Sequence, residues 1–164
     1  MTGYIKEMRE LIGNRPLLLV GTSVIAYRDG MILLQKRADN GEWGYPGGYL
    51  ELGETVEESA QREFLEETGL IANRLELYGV FSGRDKHIVY PNGHEVYCVD
   101  VVFTCRDFSP SGAGHDDEVL ELGWFPFTAL PAGITPSIRR VLEQFIGDQL
   151  HCINGKEEPD GCSR

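Results

Sequence analysis

Two hydrophobic periods alternate along the chain. From Leu17 to Tyr27 apolar and β-branched residues run without a charge, and Met31 to Gln35 repeats the pattern. Asp29-Gly30 sits between them, a pair that favours a two-residue hairpin turn, so two antiparallel strands are predicted. Leu75 to Phe81, Ile88 to Tyr90, Val96 to Thr104 and Leu120 to Phe125 read as further strands, with Pro91-Asn92-Gly93 as a second turn. Asp39 to Gly53 is glycine-rich and predicts a loop with a short strand around Tyr45, and Ser109 to Asp117 predicts another loop. Three segments carry a helical period. Tyr4, Ile5, Met8, Leu11 and Ile12 share one face and Gly13 stops the run, predicting a short helix over 4–12 that packs on the domain or forms a dimer contact. Thr55 to Thr68 has Thr55 and Glu58 spaced as a capping box, then Gly69 and the apolar Leu70 as a stop. Ser137 to Ile146 is the second long helix, and residues 148–164 read as a polar, frayed tail. Strands precede, separate and follow two long helices, which predicts an α/β fold around a mixed sheet, one domain over 1–147.

Composition narrows the class. The chain has 164 residues, 41% hydrophobic and 25% charged, ordinary values for one globular domain. Its longest uncharged stretch, Pro16 to Tyr27, is too short to span a bilayer. Lys6, Glu7, Arg9 and Glu10 precede any apolar run, so the start does not read as a signal peptide, and a cytoplasmic location is expected. Cys98 and Cys105 lie seven residues apart in a strand-like run and point to opposite faces; with no CxxC pair, free thiols in a reducing cytosol are expected. A metal grouping of His151, Cys152 and Cys162 is the alternative, at a spacing that suits no standard zinc motif. The net charge of −11 makes long nucleic acid a poor partner, while a small anionic ligand could still be held through a metal.

The charge is concentrated. Glu51 to Glu67 holds seven Glu and one Arg, a net of −6. Glu63, Glu66 and Glu67, at i, i+3 and i+4, place three carboxylates on adjacent turns of one surface, where they repel. A charge run is usually a solvated face, but the helical wheel argues otherwise. With Val56 at 0°, Ala60 falls at about 40°, Phe64 at about 80°, Glu63 at about −20° and Glu67 at about 20°. Two acids therefore share the sector of the apolar stripe, and carboxylates at the edge of a core need a partner. Arg62 is one cation among them, and a divalent cation with all-oxygen ligands, Mg²⁺ or Mn²⁺, is the natural remainder. Gly47-Gly48 and Gly53 precede the helix, and there a backbone carbonyl could join a metal shell.

Gly48, Glu54, Arg62-Glu63, Phe64, Leu65, Glu66-Glu67, Thr68, Gly69 and Leu70 match, at every spacing, the 23-residue signature box of the Nudix hydrolases. Phe64 is larger than the usual aliphatic residue. Trp43, Pro46, Gly47 and the strand order extend the resemblance over about residues 17–147. It implies an α/β/α sandwich and hydrolysis of a diphosphate bond in a nucleoside diphosphate linked to another moiety, ADP-ribose or a related nucleotide sugar. It implies Glu63, Glu66 and Glu67 as metal ligands, with Gly47 offering its carbonyl. Glu67, Glu63, Glu54 and Arg62 are implied in catalysis, Arg62 by orienting the box carboxylates. A further acid outside the box is often used; of Asp116, Asp117 and Glu118, Glu118 is favoured, against a plain loop acid.

The leaving group is less legible. The run typical of NADH-cleaving members is absent, Lys86 stands where one ADP-ribose group has Pro, and Tyr90 comes late for the dinucleoside polyphosphate pattern. Arg37 and Arg84 are candidate substrate contacts, as are Lys86 and His87, while Tyr45, Phe81 or Tyr97 could stack on a base. The alternatives are a nucleoside triphosphate pyrophosphohydrolase that removes damaged nucleotides and a module that senses a nucleotide without turnover.

Overall fold

The computed structural model describes residues 3–154. Among them, eight strands form one sheet: β1 (Leu17–Arg28), β2 (Met31–Arg37), β3 (Trp43–Gly44), β4 (Gly47–Tyr49), β5 (Leu70–Phe81), β6 (His87–Val89), β7 (Glu95–Pro110) and β8 (Val119–Pro126). Neighbours run β3-β2-β1-β7-β5, with β4 against β1, β6 against β7 and β8 against β2. β1 and β7 are parallel, from Leu17 opposite Val96 to Ala26 opposite Cys105, and the other pairs are antiparallel. The helices are α1 (Gly3–Ile12), α2 (Val56–Thr68) and α3 (Pro136–Asn154). None of the described helices is long and apolar enough to cross a membrane.

β1 reads as an unbroken apolar run because both of its faces are covered. Val24, Ala26 and Leu33 pack with Ala60 and Phe64 of α2 on one face. Ile25, Ile32, Leu34 and Val102 pack with Val141, Leu142, Phe145 and Ile146 of α3 on the other. The result is the expected α/β/α sandwich around a mixed sheet. Cys98 and Cys105 are buried free thiols in different clusters, and burial pushes them up to about 12 and about 11. Cys162 lies outside the described residues, so the His151, Cys152 and Cys162 grouping does too.

Several elements differ from the periodicity. α1 packs on its own sheet through Ile5, which meets Leu19, Val96 and Cys98. Leu11, expected on that face, is 80% exposed. Arg9 is buried instead, donating to the carbonyls of Gly13, Arg15 and Glu95 and so tying the helix end to β7. β5 begins at Leu70 and β7 runs to Pro110, both longer than expected, because register shifts between Ala72 and Gly79 erase the two-residue alternation. Two short strands flank Tyr45, which lies in neither. α3 continues past Gly147 to Asn154, where a frayed tail was expected, and Tyr78 donates to its Asp148 at 2.7 Å.

Candidate active site

α2 supplies the acids and its ends are set by local chemistry. Thr55 and Glu58 form the predicted reciprocal cap, and Gly69 takes the left-handed conformation (φ 69°) with its N–H donating to the Leu65 carbonyl. Ala60 and Phe64 are driven into the core, and that rotation turns Glu67 inward, leaving it 4% exposed. Glu63 is partly buried and Glu66 faces solvent, with side-chain exposures of 14% and 50%. β4 passes so close to the helix that a Cβ on Gly48 would lie 2.3 Å from the Glu63 carboxyl carbon, so any larger residue here would push the Glu63 carboxylate out of its place. One residue earlier, the Gly47 N–H donates to Glu67 Oε2 at 2.6 Å.

Arg62 organises the outer acids. Its Nε and Nη2 donate to the two oxygens of Glu54 at 2.7 and 2.9 Å, a bidentate pair. Nη1 donates to Glu63 at 2.7 Å and to Glu66 at 3.3 Å, and Nη2 also reaches the Tyr49 carbonyl at 3.2 Å. Hydrogen bonding from Arg62 holds Glu54 down to about 2. The inner acids behave oppositely. Burial raises Glu63; Arg62 opposes this, while Glu66 and Glu118 add to it. Burial likewise pushes Glu67 up to about 8, against hydrogen bonds from Gln35 and the Gly47 N–H, with Glu63 adding to the rise.

The loop after β7 closes on the C-terminal end of α2. The Ser111 N–H donates to the Gly69 carbonyl at 3.0 Å and the Asp116 N–H to the Glu66 carbonyl at 2.9 Å. This brings the charge of Glu118 to bear on Glu63, from some fifty residues away in sequence. Arg37 is also near: its guanidinium acts on Glu67, Tyr49 and Tyr90. Burial opposes its charge, but two hydrogen bonds to Asp39, at 3.0 and 2.8 Å, hold it above its ordinary value.

Tyr45 does not join this group as a stacking surface. It is 4% exposed and packs under α3. Its hydroxyl donates to Asp100 at 3.1 Å, and Asp100 also takes the Lys86 ammonium at 2.7 Å and the Ser23 hydroxyl at 2.8 Å. The same burial removes Lys86 from phosphate contact. Arg84 is exposed on the 3₁₀ turn Arg84–Lys86, where the neighbouring Asp85 pairs with Arg140 of α3. Two participants escaped the sequence reading. Gln35, 1% exposed, hydrogen-bonds Glu67, and its signal was a polar residue two positions beyond Leu33 in an apolar run. Ser59 bridges α2 to β1 through Thr22 at 2.9 Å.

A NUDIX domain model matches residues 17–145. The chain belongs to the Nudix family. An ADP-ribose pyrophosphatase of Methanocaldococcus jannaschii is 37% identical over 115 residues, covering 68% of this chain and 64% of that protein. A MutT-like protein of Streptomyces ambofaciens is 42% identical over 110 residues, covering 66% and 62%. The match thus spans under two thirds of the length of these relatives. Among solved structures, a MutT NUDIX hydrolase from Burkholderia pseudomallei superposes with a TM-score of 0.66 at 35% identity, covering 78% of this chain and 98% of that one.

Nudix hydrolases generally use divalent metals. The donors here suit a hard cation: carboxylate oxygens that repel one another, one of them buried with no cation in hydrogen-bond contact among the described residues. Among the described residues no three acids converge to enclose a cation; Arg62 pairs with Glu63 and Glu66 while the Gly47 N–H holds Glu67. Were a cation to be held by Glu63, Glu66 and Glu67, the Arg62 contacts to Glu63 and Glu66 would have to give way to it, while the bidentate pair with Glu54 would keep the guanidinium in place.

The raised Glu67 gives the metal-free protein a defined pH response. A carboxyl whose folded value lies above its ordinary 4.5 favours the fold below that pH and loses this contribution as pH rises through about 8. The melting temperature of chelator-treated protein is expected to fall across that window, and Glu67→Gln to flatten the slope. A wild-type profile without that fall, or an equal fall in the variant, would show that Glu67 is ionised without cost.

Proposed function

We propose that the chain hydrolyses a diphosphate bond in a small nucleotide derivative, with a nucleoside diphosphate sugar such as ADP-ribose as the favoured substrate. The observation that carries this is the buried Glu67 carboxyl, one turn from Glu63 and under the Gly47-Gly48 strand, in a Gly48–Leu70 segment that keeps every acid of the Nudix box. The 37% identical ADP-ribose pyrophosphatase supports the substrate class. Glu63, Glu66 and Glu67, with the Gly47 carbonyl, are the residues that would hold Mg²⁺ or Mn²⁺. When bound, the metal neutralises the diphosphate charge and acidifies a water. Arg62 orients the outer acids through its pairs with Glu54, Glu63 and Glu66. Glu118, delivered by the loop, stands within the field of Glu63 as an acceptor for the water's proton. Arg37, preset by Asp39, and the exposed Arg84 are available to phosphate oxygens.

A nucleoside triphosphate pyrophosphohydrolase is the second reading, supported by the 42% identical MutT-like protein. Products separate the two. Incubation with ADP-ribose is expected to give AMP and ribose 5-phosphate, whereas the second reading requires a nucleoside monophosphate and pyrophosphate from a triphosphate. Binding of both nucleotides without either product would leave the sensing module.

A further inference from the structure

β2 carries an anomaly that neither its period nor its packing explains. Leu33 and Gln35 are two positions apart and so share the face toward α2. Leu33 fills the core there, and the same stripe calls for another apolar side chain at 35. Gln35 is instead 1% exposed, and its Oε1 has no hydrogen-bond partner among the described residues. An unpaired buried oxygen destabilises the fold. The strand does not need the amide either, since the backbone of Gln35 pairs with β3 opposite Gly44 and with β8 opposite Leu122. Among the described residues the side chain meets the Glu67 carboxyl. That carboxyl accepts the Gly47 N–H at 2.6 Å from the other direction. Once ionised, as a ligand to a cation must be, the Glu67 carboxylate only accepts, so Nε2 is the amide atom that can serve it and Oε1 is left without a partner.

We propose that Gln35 is a positioning residue of the acidic site. Its Nε2–H and the Gly47 N–H clamp the Glu67 carboxylate from two strands, fixing the orientation in which it meets a divalent cation. The stranded Oε1 is the cost of that clamp. The inference rests on the metal-dependent function proposed above and adds to it a donor outside the Nudix box. Groups that orient a metal ligand in this way typically change affinity by about 10- to 100-fold when removed.

The test pairs two readouts on the full chain. Gln35→Leu and the nearly isosteric Gln35→Met remove the donor and the orphaned oxygen together. Mn²⁺ binding, followed by electron paramagnetic resonance without substrate, is expected to weaken by about 10- to 100-fold in both. The melting temperature of the metal-free variants is expected to hold or rise. A residue with a merely structural role would lower both together. Unchanged Mn²⁺ affinity in stable variants, or failure of both variants to fold, overturns the role of Gln35 while leaving the metal site intact. Absence of Mn²⁺ binding by the wild type overturns the metal reading itself, and this inference with it.

Discussion

Glu67→Gln is expected to lower turnover by about 10²- to 10⁴-fold while keeping the fold, the magnitude that loss of a proton-transferring or charge-bearing group at a reacting centre commonly has. Gln has nearly the volume of Glu, so the packing of α2 against Val24 and Leu33 survives. Its side-chain oxygen can still accept the Gly47 N–H. Its amide nitrogen then faces Gln35, whose unpaired Oε1 can turn to receive it. Replacing a buried carboxyl by an amide also removes the cost of ionising it at neutral pH, so the metal-free variant should melt no lower than wild type. Glu57→Gln is the control. Glu57 sits in the exposed first turn of the same helix, and its loss should leave the rate nearly unchanged. Near-normal turnover in both variants at saturating metal would remove the three-carboxylate site. Unfolding of both would make the helix acids structural.

Excess chelator is expected to abolish turnover, and Mg²⁺ or Mn²⁺ to restore it, because the chain holds few cations that could carry a diphosphate. Of the basic groups near the acids, Arg62 is engaged by three carboxylates, which leaves Arg37, itself paired with Asp39, with too little positive charge to offset a diphosphate by itself. The same cation should stabilise the fold. Binding to the native state alone adds about 2.7 kcal/mol at a hundredfold excess over Kd, or roughly 5–10 °C for a domain of this size. Sodium chloride at equal ionic strength should not reproduce the shift. The gain should be larger at pH 8 than at pH 6, since a metal takes the ionised carboxylate and Glu67 is largely neutral at the lower pH. Turnover that persists in chelator would sink the metal assignment. An equal shift with sodium chloride would reduce the cluster to a screened surface.

Much of the site was legible because its chemistry is local. The spacing of Glu63, Glu66 and Glu67 against Val56, Ala60 and Phe64 already placed two acids in the apolar sector, and the capping box and Gly69 set the ends of the helix that carries them. Hydrophobic period and turn residues act over a few positions, so β1, β2 and α2 could be placed from the sequence alone. Tyr45 shows where that stops. Its aromatic ring reads equally as a stacking surface or as core, and only the docking of α3 over β1 and β7 buried it beside Asp100 and Lys86. Gln35 and Glu118 act on the acids from β2 and from a loop, Gln35 by a hydrogen bond and Glu118 by its charge, each from more than thirty positions away in the chain. The sequence by itself determined the fold class, the acidic helix and the family to which the chain belongs, because each follows from residue spacing and from the order of elements along the chain. Only the tertiary structure decided which acids are buried, which cations neutralise them and which polar residues orient them, because desolvation and charge coupling depend on what the whole sheet brings together.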